Sequence, residues 1–320
     1  MIDTIYQLVQ EDLAEVEKRL ESVTEVDFPF QAELLSYSLQ GGGKRIRPIL
    51  TLLAGKFYDY DPTSILPMAA AVELMHTATL VHDDAIDHSP VRRARPTVNT
   101  LWGEETAVLL GDYLFAKAGE FATDTGNLRV VRLFTQTLQI ISSGEINQAY
   151  NAFNLAQTHQ QYIDRIAGKT ASLFTLAIES GAILSHAPQS SVEVLREYGY
   201  NLGIAFQIVD DILDFISTEE EMGKPIGSDL AQGTLTLPAM LVMERYPDDN
   251  PVKRLFENRD ERDNIRQAIE LVRNSPIVTE CYRLASEYAS RACHNLEMLP
   301  GNAGRQWLAD IANYVVERKK

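Results

Sequence analysis

Apolar residues recur along this chain at three- and four-residue spacing. Ile5, Leu8, Val9, Leu13, Val16 and Leu20 form one such stripe and predict an N-terminal helix. The same period predicts helices at about 30–40, 48–58, 65–88, 105–121, 128–152, 158–184, 191–217, 234–245, 262–273, 277–297 and 303–318. The stretches 65–88, 158–184 and 191–217 are apolar nearly all round, which suits helices buried on every side of a large bundle. Breaks are expected at Gly41-Gly42-Gly43, between Pro90 and Pro96, around Gly126, at Pro188, and from Gly223 to Gly233. No run alternates with the period of a strand. The expected fold is all-α.

Composition narrows the picture. The chain has 320 residues, 45% of them hydrophobic, enough for a large core. It contains no Ser/Gly tract, Pro-rich stretch or long charge run to serve as a linker, so one domain over 1–320 is expected. The net charge of -16 argues against nucleic acid and against stable adhesion to anionic membranes. Glu73 and Glu179 interrupt the longest apolar runs, so no stable membrane insertion is expected. Cys281 and Cys293 suggest neither a disulfide framework nor zinc, and fit a reducing cytoplasm. The acidic opening MIDTIYQLVQEDLAEVEKRL does not read as a signal or transit peptide.

The chemistry lies in two short acidic motifs. Asp83-Asp84-Ala85-Ile86-Asp87 and Asp210-Asp211-Ile212-Leu213-Asp214 each follow an apolar helical stretch. Residues i and i+4 stand one turn apart on the same helix face, so Asp83 lies beside Asp87 and Asp210 beside Asp214. Like charges at that spacing destabilise a bare helix and call for a cation. Hard carboxylate oxygens suit Mg²⁺, which usually arrives with phosphate. One such motif alone reads more readily as a solvated helix end; two on apolar helices do not.

Cations alternate with these acids. Gly41-Gly42-Gly43-Lys44-Arg45-Ile46-Arg47-Pro48 joins unhindered backbone to three cations before a helix opened by proline. It lacks the Gly-Lys-Ser/Thr of a Walker A loop, and by itself it reads more readily as a helix C-cap glycine followed by surface cations. Arg92, Arg93 and Arg95 follow the first motif, and a guanidinium fork suits diphosphate oxygens. Lys169-Thr170 interrupts an apolar helix, Phe206-Gln207 precedes the second motif, and Gly223-Lys224-Pro225 follows it in a loop that could act as a lid. No Ser or Cys nucleophile is marked by a nearby base. The demand is a substrate with a diphosphate leaving group, stabilised by metal and arginine.

Taken in order, these residues resemble the trans-polyprenyl diphosphate synthase family. The match runs over about 30–245 and includes His76 to Asp87, Gly111-Asp112-Tyr113-Leu114, Gly144-Glu145, Lys169-Thr170-Ala171, Gly203 to Asp214, Gly227, Asp229 and Thr236-Leu237-Pro238. The resemblance implies an isoprenoid-synthase helical bundle around a deep central cavity. It implies head-to-tail addition of isopentenyl diphosphate to an allylic diphosphate. Asp83, Asp87 and Asp210 would ligate Mg²⁺, about three ions per site, with Mn²⁺ able to substitute. Asp84, Asp211 and Asp214 would support them. Lys44, Arg47, His76 and Arg93 would hold isopentenyl diphosphate; Arg92, Lys169, Thr170, Gln207 and Lys224 would hold the allylic diphosphate. The departed diphosphate would serve as base. Ala94 stands where many members have glycine, and Thr234 where some carry a further lysine.

Product length is expected to depend on Ala78 and Thr79, five and four residues before Asp83 and about 5.4 Å up the helix. Short-chain relatives carry an aromatic floor there; here both residues are small. The implied product is a long-chain all-trans polyprenyl diphosphate, hexaprenyl to nonaprenyl with heptaprenyl favoured, for quinone side chains. Farnesyl or geranylgeranyl diphosphate would be the primer. The Gly227 to Gly233 run resembles the catalytic large subunit of bacterial heptaprenyl diphosphate synthase, so both a homodimer and a heterodimer with a small regulatory subunit stay open. Release of product implies transient membrane contact. The alternatives are a short-chain farnesyl or geranylgeranyl diphosphate synthase, a class I terpene cyclase, a noncatalytic subunit and a di-iron bundle. A cyclase would replace the second acidic motif, a noncatalytic subunit would lose one, and a di-iron bundle wants two Glu-x-x-His pairs where only Glu73-Leu74-Met75-His76 is present.

Overall fold

The computed structural model describes residues 2–222, 225–259, 261, 263–301 and 303–318. Gly223 and Lys224, and with them the glycine–lysine end of the expected lid, lie outside the described residues. The chain runs α1 Ile2–Leu8, α2 Gln10–Ser22, α3 Pro29–Leu39, α4 Ile46–Gly55 and α5 Pro62–Ile86, then a short hairpin, β1 Val91–Arg92 and β2 Arg95–Pro96. It continues through α6 Val98–Trp102, α7 Glu104–Asp124, α8 Leu128–Tyr150 and α9 His159–Ile166, a π-helical turn Ala167–Ala171, α10 Ser172–Leu184 and α11 Gln189–Ile216. The remainder is α12 Glu219–Met222, α13 Ser228–Ala231, α14 Leu237–Arg245, α15 Pro251–Glu257, α16 Asp263–Arg273, α17 Ile277–Leu296 and α18 Ala303–Glu317.

Local chemistry explains the boundaries. Asp61 caps α5 by accepting from Thr63 N at 3.0 Å, with Pro62 in the first turn. Asn127 caps α8, and Thr158 with Gln161 forms a capping box on α9. The expected N-terminal helix is broken at Val9 into α1 and α2, and the expected helix over 158–184 is interrupted by the π turn. Helices α6, α12, α13 and α15 carry too few residues for a periodic signal and were not anticipated, nor was the two-residue hairpin.

Helix α5 packs along α7 and against α4 and α10; α10 packs on α11, and α11 on α17. By length and composition α5 could cross a bilayer, although the sequence suggested no such run. It is instead buried on most sides, from Ile65 to Ala78. One hydrophobic cluster gathers α4, α5, α7, α8, α10 and the first half of α11; a second gathers the rest of α11 with α14, α15, α16 and α17. Close approach demands small residues. A Cβ on Gly181 of α10 would lie 2.3 Å from the Thr51 carbonyl oxygen of α4. One on Gly203 of α11 would lie 2.5 Å from the Ala171 Cα in the π turn. Glycine there lets α11 sit directly against the segment that carries Lys169 and Thr170.

Candidate active site

The helices leave a cavity of about 560 Å³ that opens where the acidic motif of α5 ends. Asp83 borders it from α5, Asp210 from α11, Glu145 from α8 and Lys169 from the π turn. Lys169 Nζ lies 2.8 Å from Glu145 Oε1 and 3.6 Å from Asp83 Oδ2. Burial works against the lysine's charge, but Asp83 and Glu145 outweigh it and hold its pKa above the usual value. Burial pushes the Glu145 pKa up, with Lys169 opposing the rise and Asp83 adding to it. Asp87 borders an adjoining cavity of about 80 Å³ together with Asp211 and Asp229; burial raises its pKa, with Asp83 adding to the rise and Lys169 opposing it.

The supporting acids turn into the protein. Asp84 is buried against Arg92, whose Nε donates to it at 2.7 Å; burial still raises its pKa to about 6. Asp211 accepts from the Tyr162 hydroxyl and from Gln207 Nε2, each at 2.8 Å, and burial brings its pKa to about 7. Asp214 accepts from the Ser228 hydroxyl at 3.0 Å and Asp229 N at 3.3 Å, tying α11 to α13 within the stretch expected as a lid. Among the described residues no three acidic, histidine or cysteine side chains gather closely enough to hold one ion. The donor set nonetheless fits a hard divalent cation. Asp83 and Asp210 offer carboxylate oxygens to one cavity from opposite helices, and the like charges of Asp83 and Asp87 raise the latter's pKa.

Cationic and neutral polar side chains converge on the same space. Lys44, Arg47, His76, Arg92 and Arg93 line it from the glycine loop, α4, α5 and the hairpin; Lys169, Thr170 and Gln207 line it from the π turn and α11. The Arg47 guanidinium lies 4.8 Å from the Phe174 ring centre. Burial lowers its pKa to about 10, with Glu73 and Asp210 opposing the fall and Arg93 and Arg318 adding to it, and its buried Nε finds no hydrogen-bond partner in the protein. Burial and the neighbouring arginines, Arg47 first, push His76 well below the usual imidazole value, so it stands neutral. Arg93 donates to the carbonyls of Gly41 and Gly42, and a Cβ on Gly43 would meet its guanidinium at 3.3 Å. The glycine loop is thus open backbone against which the hairpin's arginine is seated. The Thr170 hydroxyl donates to Gln207 Oε1 at 2.6 Å.

The hairpin turns on Arg93 and Ala94, at φ 51 and 58. A two-residue loop with both residues left-handed is a type I′ turn. Ala94 therefore sits at the positive φ that glycine would adopt without strain. Thr234, where a further lysine was considered, borders the smaller cavity with Asp87. Ala78 is fully buried and outside the cavity lining, whereas Thr79 is in it, so of the two expected length-determining residues only Thr79 faces this space.

Several contributors escape sequence reasoning. Glu145 was seen only as part of a motif, and Tyr162 was not singled out. Arg318, near the C-terminus, reaches Asp210 at 2.5 Å and the Phe206 carbonyl at 2.7 Å, with its guanidinium 3.7 Å from the Phe206 ring centre. Nothing in a separation of 108 residues marks that contact. The π turn could have been suspected from Gly168 and the polar Lys169-Thr170 within an apolar helix, since such insertions cluster at functional sites.

A polyprenyl synthetase family model matches residues 29–272. The chain is 37% identical over 314 residues to heptaprenyl diphosphate synthase component 2 of Bacillus subtilis, covering 98% of this chain and 90% of that one. A polyprenyl synthase from Caulobacter crescentus, solved with calcium and isoprenyl diphosphate, superposes with a TM-score of 0.96 at 33% identity, over 100% of this chain and 98% of that one. A decaprenyl diphosphate synthase from Rhodobacter capsulatus superposes with a TM-score of 0.92 at 38% identity, over 100% of both chains.

Proposed function

This chain belongs to the polyprenyl synthetase family, and from that premise we propose the reaction its cavity performs. It is a prenyltransferase that joins isopentenyl diphosphate head-to-tail to an allylic diphosphate and makes a long-chain trans-polyprenyl diphosphate. The observation that carries this reading is one cavity bordered by both acidic motifs and by two sets of cationic or polar side chains. One set suits a diphosphate that leaves, the other a diphosphate that stays.

Lys169, Thr170, Gln207 and Arg92 hold the allylic diphosphate, with Lys224 as a further expected contact. Lys44, Arg47, His76 and Arg93 hold isopentenyl diphosphate; the unpartnered Arg47 Nε and the neutral His76 both suit hydrogen bonding to its oxygens. Magnesium held by Asp83, Asp87 and Asp210 would supply positive charge to the departing diphosphate. The allylic C–O bond breaks with its electron pair on the leaving oxygen. The double bond of isopentenyl diphosphate, held alongside, forms the new C–C bond, and a proton is then lost to the departed diphosphate. The apolar side of the cavity shields the carbocation from water.

Heptaprenyl diphosphate is the favoured product within the hexaprenyl to nonaprenyl range, with farnesyl or geranylgeranyl diphosphate as primer and quinone side chains as destination. We read 1–320 as one domain, because α11 contributes to both hydrophobic clusters. A subunit partner is part of the reading. Leu109, Leu128, Ile146 and Tyr150 leave α7 and α8 with 63%, 85%, 72% and 89% exposed apolar side chains, and the Bacillus relative is named as one component. A second copy and a small subunit both fit, in the cytoplasm, with transient membrane contact on product release.

The test is incubation of the purified chain, alone and with a small subunit, with Mg²⁺, isopentenyl diphosphate and either primer. Long all-trans products are expected. A folded chain that consumes neither diphosphate under any of these conditions overturns the assignment.

A further inference from the structure

The run Gly43-Lys44-Arg45-Ile46-Arg47 carries three cations, and the isopentenyl diphosphate site described above uses only Lys44 and Arg47. Arg45 borders the cavity too, yet every nitrogen of its fork donates to a carboxylate. Its Nε lies 2.6 Å from Glu17 Oε1 on α2, and one terminal nitrogen lies 3.1 Å from Glu17 Oε2. The other terminal nitrogen reaches Glu73 Oε1 on α5 at 2.8 Å. Burial works against the charge of Arg45, but Glu17 and Glu73 outweigh it and hold its pKa above the usual value. The backbone is committed as well. Arg45 stands at φ 47, a left-handed conformation that an L-residue keeps only where its surroundings hold it. It is the residue that leads into α4, so it sets how the glycine loop enters that helix. A second N-terminal contact reaches the same loop, where the Tyr6 hydroxyl of α1 donates to the Lys44 carbonyl. Glu73 also acts on Arg47 and Arg93, opposing the fall in both their pKa values. Unbalanced, that carboxylate would repel a diphosphate; Arg45 balances it.

We infer that Glu17 and Arg45 are positioning residues for isopentenyl diphosphate: their ion pair holds the glycine loop so that Lys44 and Arg47 reach the diphosphate together. This rests on the prenyltransferase reading above. Lys44 precedes Arg45 by one residue and Arg47 follows it by two, so any shift of Arg45 moves both. Glu17 lies outside the cavity lining, on a helix that packs along α5, and supports the loop from behind. Its two oxygens meet two nitrogens of the fork, a pairing that fixes orientation as well as distance. The side chains assigned to the allylic diphosphate come from the hairpin, the π turn and α11, and none is carried by this loop. The pair is therefore expected to act on one diphosphate and not on the other.

The test uses the full chain, with its partner if one is needed, and measures the two substrates separately. Glu17→Gln keeps the shape of the side chain and removes its charge. It is expected to raise KM for isopentenyl diphosphate about fivefold or more, to leave KM for the allylic primer within about twofold, and to change kcat little. Glu17→Asp, which keeps the carboxylate, is expected to recover part of the loss. Arg45→Lys keeps the charge but loses the fork that spans two carboxylates, and is expected to act in the same direction. In Glu17→Gln/Arg45→Lys the two effects are expected not to add, because both remove one contact. Calorimetric titration with isopentenyl diphosphate alone checks that KM reports binding, and thermal melts check folding. Glu17 has a side chain 37% exposed, so Glu17→Gln carries the test if Arg45→Lys does not fold. Unchanged affinity in folded Glu17→Gln, or equal losses for both substrates, overturns the inference. Tighter binding overturns it as well, since Arg45 released from Glu17 would then be a direct ligand. A wild type that adds no isopentenyl diphosphate overturns the underlying reading instead.

Discussion

Asp83 and Asp210 are neutralised by cations of different origin: Lys169 from the π turn and Arg318 from the end of the chain. Both acids border the cavity, so in the proposed reaction replacing either would remove transition-state stabilisation while sparing the core. Asp83→Ala or Asp210→Ala is expected to lower turnover by about a hundredfold or more. Steady-state rates, with a thermal melt to confirm folding, check this; near-wild-type rates would break the link between the motifs and the chemistry. Asp211 behaves differently. Its folded pKa of about 7 lies above the value near 3.9 for an unfolded aspartate. Between those values the folded chain holds a proton that the unfolded chain has lost, so this group's contribution to stability falls as pH rises. Asparagine imitates the protonated acid. With chelator present, Asp211→Asn is expected to melt above wild type at about pH 8 and to lose most of that margin by about pH 5. An equal margin at both pH values would mean that the carboxylate's burial is not what matters.

At the scale of elements, the site depends on a turn and a close approach. The hairpin must reverse in two residues to bring Arg92 to Asp84 and Arg93 to the glycine loop. A left-handed conformation costs an L-residue about 1–2 kcal/mol, whereas glycine adopts it freely but loses about 0.4–1 kcal/mol through unfolded-chain entropy. Ala94→Gly is therefore expected to leave kinetics near wild type and to raise the melting temperature by about 1–3 °C. A lowered midpoint would show that the methyl is held by contacts of its own. Gly203→Ala is expected to act in the opposite direction. Its methyl would meet the backbone of Ala171, which cannot swing aside as a flexible side chain can. A loss of about 1–3 kcal/mol in chemical denaturation is expected, together with weakened allylic-substrate binding. Intact affinity beside lost stability would separate packing from positioning.

At the scale of the whole molecule, an acidic chain of net charge -16 gathers six of its 29 lysines and arginines around one cavity and shows apolar side chains on α7 and α8. Those exposed side chains are the basis of the proposed subunit contact. Ile146→Glu on α8 is expected to shift the sedimentation coefficient from an assembled species to a monomer and to lower turnover. A wild type that already sediments as a fully active monomer would remove the subunit interface from the reading.

Much of the site was legible because it is local. Asp83 and Asp87, Asp210 and Asp214, and Lys169-Thr170 sit within a turn of one another, and helical periodicity alone places each set. The long buried helices were legible for the same reason, since their apolar positions repeat over many turns. Short elements and the π turn were not, because a few residues carry no period. Ala78 and Thr79 are neighbours in sequence, yet only packing put the first in the core and the second in the cavity. Sequence by itself determined which charges this protein possesses and which share a helix face, because those follow from spacing along one backbone. Tertiary structure alone decided that Arg318 meets Asp210, that Tyr162 meets Asp211 and that Ile141 lines the same cavity as Thr79, because contacts between helices depend on how ridges and small residues let their axes approach.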